Sequence, residues 1–135
     1  MLIIHTDGGS RNNPGPAGVG IVIKCGNETL AEISEFLGTA TNNAAEYTAV
    51  IRALEWCAAH GLTKESLAFK LDSKLVVEQV QGNWKIKEPS LRPLVARVRE
   101  LAVMFPSVSF AHIPREENTE ADQLVNEAID KGTFA

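Results

Sequence analysis

Four acidic residues stand where a divalent-cation site could form: Asp7, Glu46, Asp72 and Asp122. Two of them follow short apolar runs, residues 2–6 and 67–71, that predict buried strands. If these strands are parallel neighbours, their terminal carboxylates lie roughly 5 Å apart at the carboxyl edge of the sheet and repel each other. Hard divalent cations relieve such repulsion, and two ions about 4 Å apart can hold both oxygens of a phosphodiester displacement. The pattern favours magnesium or manganese chemistry.

Each acid also has an ordinary structural explanation. Glu46 could form a capping box with Asn43 at the start of a helix, and Asp72 could be the N-cap of the helix that follows it. Asp122 is harder to explain in this way, because it lies one turn before Val125 at the edge of a helix's apolar face. A charge at the edge of a core is costly unless it is paired or binds a metal. The joint placement therefore favours a metal site.

The elements that must position these acids are predicted from apolar periodicity and turn residues. Turn formers at residues 8–18 and apolar runs at 19–25 and 29–36 predict an antiparallel three-strand meander. A long helix follows, and after it come a strand, two helices, a second strand and a last helix from about Asn118. We therefore predict an α/β fold with a mixed five-stranded sheet, the meander plus two parallel strands, and helices on both faces. One domain is expected over residues 1–135.

The net charge of −4 argues against binding of nucleic acid by bulk charge alone. The charges are segregated, however, because residues 83–115 carry six basic and two acidic side chains, whereas residues 116–130 carry six acidic and no basic ones. The basic segment could contact phosphates, and a solvated helix face would explain most of the acidic one. No basic n-region precedes the first apolar residues, so we expect neither a signal peptide nor a membrane span, and a cytoplasmic location.

Four motifs resemble ribonuclease H of type 1, in its short bacterial and archaeal form without an accessory hybrid-binding domain. They are Thr6-Asp-Gly-Gly-Ser-Arg-Asn-Asn-Pro-Gly-Pro-Ala-Gly18, Thr41-Asn-Asn-Ala-Ala-Glu46, Leu71-Asp-Ser73 and Arg115-Glu-Glu-Asn-Thr-Glu-Ala-Asp122, in the family's order. The resemblance implies a ribonuclease H-like fold and an endonuclease that hydrolyses the RNA strand of RNA/DNA hybrids by two-metal-ion cleavage. It implies two Mg²⁺ ions, or Mn²⁺ as a substitute, held by the four acids. The expected partner is the hybrid, with no obligate protein partner and a monomeric chain.

The resemblance also implies residues that contact the substrate. Asn13, Asn42 and Asn43 match positions that contact the hybrid in its minor groove, where 2′-hydroxyls distinguish RNA from DNA. Asparagine suits this role because its amide both donates and accepts, although turns and caps would also explain these residues. Thr41, with Arg11, is expected to hold a phosphate of the DNA strand.

The chain departs from the family pattern in three places. An accessory catalytic His on a flexible loop is replaced here by His112-Ile-Pro-Arg115, so either His112 or Arg115 is expected in that role. A basic handle is reduced to residues 82–90, where Trp84 and Lys85 could pack against sugar and phosphate, although a tryptophan there is also a common hydrophobic plug. Lys74 stands where several members have Gln, and it is the candidate for a local base or sugar contact.

Two other functions remain open at this point. The short handle and the acidic net charge are also compatible with a non-catalytic module that binds hybrid or double-stranded RNA. Another nuclease of the same fold would share the four acids. A metal-dependent digest of several nucleic acids distinguishes the three.

Overall fold

A computed structural model describes residues 1–133, so the last two residues of the predicted domain lie outside the described part of the chain. The described residues form five strands and four α-helices in the order β1 (Leu2–Ser10), β2 (Gly15–Cys25), β3 (Glu28–Ala40), α1 (Asn42–Ala59), β4 (Leu67–Leu71), α2 (Lys74–Val80), α3 (Arg92–Ala102), β5 (Val108–His112) and α4 (Thr119–Thr133). Short 3-10 helices at Pro89–Leu91 and Arg115–Glu117 precede α3 and α4.

The strands form one mixed sheet in the order β3-β2-β1-β4-β5. Strands β1, β2 and β3 are antiparallel neighbours, whereas β4 pairs in parallel with both β1 and β5. The predicted meander with two added parallel strands is therefore confirmed. Because β1, β4 and β5 run in the same direction, their carboxyl ends lie at the same edge of the sheet. Asp72 and His112 stand at that edge.

The prediction that β1 ends at Asp7 was wrong, because the strand continues to Ser10. Its parallel partner β4 ends at Leu71, opposite Thr6, but its antiparallel partner β2 goes on pairing as far as Ala17. Asp7 is thus the first residue of β1 beyond the end of β4. Its backbone pairs with a strand on one side only, that of β2. Its carboxylate can therefore reach the space beyond the end of β4.

Helices cover both faces of the sheet, as predicted. On one face, α1 buries Tyr47, Val50 and Leu54 in a core that includes Ile4 and Phe69. On the other face, α4 packs on β2 and β3. None of the helices in residues 1–133 is long and apolar enough to cross a membrane.

Glycines allow both helices to approach the sheet closely. A Cβ on Gly8 would overlap the carbonyl oxygen of Ala45 in α1. A Cβ on Gly20 would overlap the carbonyl oxygen of Ala121 in α4. These two glycines are therefore required by the packing of helix backbone on strand backbone, and no larger residue fits at either position.

Candidate active site

Three acidic side chains converge at the shared carboxyl edge of β1 and β4. Asp7, Glu46 and Asp72 each offer one carboxylate oxygen, and these oxygens lie within 4.8 Å of one another. Asp7 comes from β1, Asp72 follows the last residue of β4, and Glu46 lies in the first turns of α1. The packing of α1 against Gly8 brings Glu46 to the strand, where its Oε1 accepts a hydrogen bond of 2.7 Å from the Gly8 N–H.

The structure excludes the capping roles that Glu46 and Asp72 could have had. The N-cap of α1 is Thr41, whose hydroxyl oxygen accepts from the N–H of Ala44 at 3.2 Å. The N-cap of α2 is Ser73, whose hydroxyl oxygen accepts from the N–H of Val76 at 3.3 Å. Because neighbouring residues cap both helices, neither carboxylate is needed for that purpose, and both face the cluster.

Crowding and burial raise the pKa of all three carboxyl groups. Burial, together with the negative charges of Asp72 and Asp122, raises the pKa of Asp7 from 3.8 to about 7. Burial and the charges of Asp7 and Asp72 raise the pKa of Glu46 well above its usual value, although the Gly8 N–H opposes this. The pKa of Asp72 is raised mainly by burial, and the positive charge of Arg115 opposes the increase.

This donor set fits a hard divalent cation. The three groups offer only oxygen atoms, which is the ligand type that magnesium and manganese prefer. None of the ion pairs within residues 1–133 involves Asp7, Glu46, Asp72 or Asp122. A cluster of one buried and two half-buried carboxylates without a paired base is costly, and a bound cation would remove that cost.

The fourth acid, Asp122, lies beside the cluster in the first turn of α4. Its negative charge contributes to the raised pKa of Asp7. The residue before α4, Asn118, connects three of the four acid-bearing segments. Its side-chain amide donates to the Thr6 carbonyl at 2.9 Å and lies beside Asp72. Its backbone carbonyl accepts from the N–H of Asp122 at 3.1 Å. Asn118 is only 1% exposed. The sequence marked it merely as the start of a helix.

The acids line an open cleft of about 510 Å³. The exposed side chains of His112 and Arg115 line it too, so both candidates for the accessory role lie in the same cleft as the carboxylates. Arg11 lines another part of the wall, where its guanidinium pairs with Asp130 at 2.6 Å. The predicted phosphate ligand Arg11 is thus engaged with α4.

A chain of hydrogen bonds fixes Asn13 and Asn42 at the rim of this cleft. The Asn13 Oδ1 accepts from the backbone N–H of Asn42 at 2.9 Å. The Asn42 Oδ1 in turn accepts from the N–H of Ser10 at 2.7 Å. Since a backbone N–H can only donate, the orientation of the Asn42 amide is determined, and its NH₂ group is left to face other partners. Asn42 lines the cleft, whereas Asn13 does not line it and instead holds Asn42 in place through this hydrogen bond.

The remaining predicted substrate residues gather around a second cleft of about 640 Å³. Asn43, Trp84 and Lys85 line it, together with Lys87. Lys74 does not line it but lies next to it, with its Nζ 5.9 Å from the centre of the Trp84 ring. Because Asn42 and Asn43 are consecutive, the start of α1 separates the acidic cleft from this basic and aromatic one.

Comparisons with known proteins agree with this architecture. A family model described as reverse transcriptase-like matches residues 5–128. A bifunctional protein of Mycobacterium tuberculosis is 44% identical over 131 residues, which cover 96% of this chain and 35% of that protein. A ribonuclease HI of Halobacterium salinarum is 46% identical over 127 residues, which cover 93% of this chain and 63% of the relative. The chain thus spans about a third of the mycobacterial protein.

Solved structures give the same result. The crystal structure of LC11-RNase H1, a protein isolated from compost by a metagenomic approach, was determined in complex with an RNA/DNA hybrid. It superposes with a TM-score of 0.93 at 47% sequence identity, over 98% of this chain and 99% of that one.

Proposed function

This chain belongs to the ribonuclease H family, and we propose that it is a metal-dependent endonuclease that hydrolyses the RNA strand of RNA/DNA hybrids. The observation that carries the proposal is the cluster of three carboxylate oxygens within 4.8 Å at the base of an open cleft. The related protein that was crystallised with such a hybrid supports the choice of substrate. We further propose that residues 1–135 act as one catalytic domain.

Asp7, Glu46, Asp72 and Asp122 would hold the metal in this proposal. Mg²⁺, with Mn²⁺ as a substitute, is proposed as a pair of ions, which when bound supply Lewis-acid stabilisation of the attacking and leaving oxygens of the phosphodiester. The chain's own part is to present four carboxylates already gathered by β1, β4, α1 and α4. The raised pKa values of Asp7, Glu46 and Asp72 mean that these three groups give up protons when the cluster takes up a cation.

Two side chains would act on the substrate beside the carboxylates. Arg115 carries a fixed positive charge next to Asp72 in the cleft, where it can contact a phosphate oxygen and stabilise negative charge as that oxygen becomes more basic. His112 is exposed in the same cleft, and its imidazole can accept or hold a proton. We assign the larger contribution to Arg115 because its positive charge acts on Asp72.

The two clefts suggest how the hybrid would lie. The RNA strand would cross the acidic cleft, where the free NH₂ group of Asn42 can reach a 2′-hydroxyl or a base edge in the minor groove. Asn13 would hold Asn42 in place. The DNA strand would follow the second cleft, where Asn43, Trp84 and Lys85 offer an amide, a stacking surface and a positive charge.

Three further residues would contact the substrate. Lys74 would approach a phosphate or sugar beside the Trp84 ring. Thr41 and Arg11 would hold a phosphate of the DNA strand, and for this Arg11 has to exchange its ion pair with Asp130 for a phosphate oxygen. A monomer in the cytoplasm is proposed, since one chain supplies every residue of the site and such hybrids form where DNA is copied and transcribed.

A digest of three matched substrates tests the proposal. An RNA/DNA hybrid, the same sequence as double-stranded RNA, and single-stranded DNA are incubated with the protein in Mg²⁺, in Mn²⁺ and in EDTA. We expect internal cuts in the RNA strand of the hybrid alone, lost in EDTA and in Asp72→Asn, and retained in the control Glu28→Gln, an exposed acid at the start of β3.

Three outcomes would contradict it. Cleavage that survives Asp72→Asn would mean that the carboxylate cluster is not the catalytic centre. Binding of the hybrid without turnover in either metal would indicate a non-catalytic module. Cleavage of double-stranded RNA or single-stranded DNA in preference to the hybrid would indicate a different nuclease of the same fold.

A further inference from the structure

Gln79 is a buried polar residue with both ends of its side chain hydrogen-bonded. It lies in α2 and is 3% exposed. Its Nε2 donates to the carbonyl oxygen of Lys85 at 3.2 Å, and its Oε1 accepts from the hydroxyl of Tyr47 at 2.7 Å. Because the Lys85 carbonyl can only accept, the amide orientation is determined, and Tyr47 must be the donor in the second bond. The side chain thus joins α1 to the segment after α2.

That segment, residues 83–88, forms one wall of the second cleft and is held by few bonds. Its first two residues donate their backbone N–H groups to the carbonyl oxygen of Glu78, at 2.9 Å from Asn83 and 3.2 Å from Trp84. For the backbone of residues 85–87, the bond from Gln79 is the only hydrogen bond within residues 1–133. Ile86 also packs against the hydrophobic core, and the bond from Gln79 is the polar contact that fixes the backbone beside it. The placement of Lys85, a positive charge of this wall, therefore depends in part on Gln79.

We propose that Gln79 is a positioning residue for the substrate, which holds the 83–88 segment so that Trp84 and Lys85 are preorganised to receive one strand of the hybrid. The inference rests on the proposed function. A mobile segment would have to be ordered when the substrate binds, and that entropy loss weakens binding. The segment does not line the acidic cleft, so its placement affects how the substrate binds and leaves the chemical step alone.

Two single variants separate the positioning role from the stability of the core. Gln79→Met keeps the volume of the side chain but removes both hydrogen bonds, whereas Tyr47→Phe removes only the bond between Tyr47 and Gln79. Gln79→Met leaves the buried Tyr47 hydroxyl without a partner, and it also releases the carbonyl of the exposed Lys85, which water can reach. Tyr47→Phe leaves the Oε1 of Gln79 without a partner, so both variants should lower the midpoint of thermal unfolding. Only Gln79→Met releases Lys85, and we expect it to raise the KM for a hybrid about fivefold, with kcat within twofold of the wild type.

The double variant Tyr47→Phe/Gln79→Met provides the matched control. Replacing both partners of a buried hydrogen bond by apolar groups of similar shape is nearly neutral for stability. We therefore expect the double variant to recover its unfolding midpoint but to keep the raised KM of Gln79→Met. Recovery of the KM together with the midpoint would overturn the proposal, because the effect of Gln79 would then be one of core stability.

Fluorescence of Trp84 gives a readout that needs no activity. In a Trp56→Phe background, Trp84 is the only tryptophan, and it is 44% exposed. Releasing the segment should raise acrylamide quenching of Trp84 up to roughly twofold, since full exposure would about double its accessible surface. Tyr47→Phe should leave the quenching unchanged.

The results distinguish this inference from the proposed function. A wild-type protein that does not cut the hybrid refutes the proposed function and, with it, a role for Gln79 in binding this substrate. A wild type that cuts, with Gln79→Met equal to Tyr47→Phe in both KM and quenching, refutes the positioning role alone.

Discussion

Replacing Asp7 by asparagine should stabilise the metal-free protein while removing its activity. The wild-type group is 7% exposed, and its pKa rises from 3.8 to about 7 because of burial and its acidic neighbours. An acid with a higher pKa in the folded state keeps its proton longer in that state, so stability falls as pH rises from about 4 to about 7. At about 1.4 kcal/mol per pH unit, the loss is about 4 kcal/mol above pH 7.

The asparagine introduced by Asp7→Asn does not titrate, and its NH₂ group is a donor beside the neighbouring carboxylates of Glu46 and Asp122. Urea unfolding in EDTA at pH 4 and pH 8 measures the effect. The free energy of unfolding of Asp7→Asn should exceed that of the wild type by up to about 4 kcal/mol at pH 8, and the two values should differ little at pH 4. Saturating Mg²⁺ should make the wild type the more stable protein, because the metal stabilises only the folded protein that binds it.

The exposed charge control Glu28→Gln should follow the wild type at both pH values. If Asp7→Asn is no more stable than the wild type at pH 8 without metal, the burial and mutual repulsion of the carboxylates do not oppose folding. An equal gain at pH 4 and pH 8 would also contradict this explanation, since the gain would then come from packing.

Three further changes test other parts of the molecule. Gly8→Ala places a Cβ against the Ala45 carbonyl oxygen and should cost about 3 kcal/mol in urea unfolding, whereas Gly9→Ala, with no atom closer than 3.8 Å, should not. Lys85→Ala should reduce the slope of log Kd for the hybrid against log salt by about 1 in fluorescence anisotropy, and an unchanged slope would exclude a phosphate contact. Arg115→Ala should lower kcat about 100-fold at saturating hybrid, and a larger loss in His112→Ala would reverse their assignment.

Much of the fold could be predicted because its local signals agree with its tertiary structure. The turn formers at residues 8–18 and the apolar runs that follow them predicted the antiparallel meander, and the helix-linked strands predicted the parallel part of the sheet. The end of β1 was missed for a tertiary reason. Gly8 and Gly9 are locally typical of a turn, yet they continue the strand because they pair with Val19 and Gly18 of β2, and α1 packs its backbone on Gly8. A sequence pattern does not reveal which element will approach a glycine.

The candidate site, like the fold, could be predicted only in part. Acidic residues at strand ends are visible in the sequence, whereas the residues that hold their surroundings in place depend on distant partners. Asn118 binds the carbonyl of Thr6, 112 positions away, and Gln79 binds Tyr47, 32 positions away. Gln79 is a single amide within α2, and Asn118 is a single amide just before α4. Nothing in their local context distinguishes them from surface amides until the fold buries them.

The charges around the carboxylates explain why the cluster suits a cation from outside the chain. Within the protein, several groups favour the ionised form, among them the Gly8 N–H at Glu46 and the side chains of Arg115 and Asn118 at Asp72. These contacts do not suffice, since the pKa of all three acids remains raised. A lysine or arginine buried among them would restore ionisation but would also fill the position that a metal needs. The fold therefore tolerates an unfavourable cluster, and the free energy lost in folding without metal becomes part of the affinity for the ion.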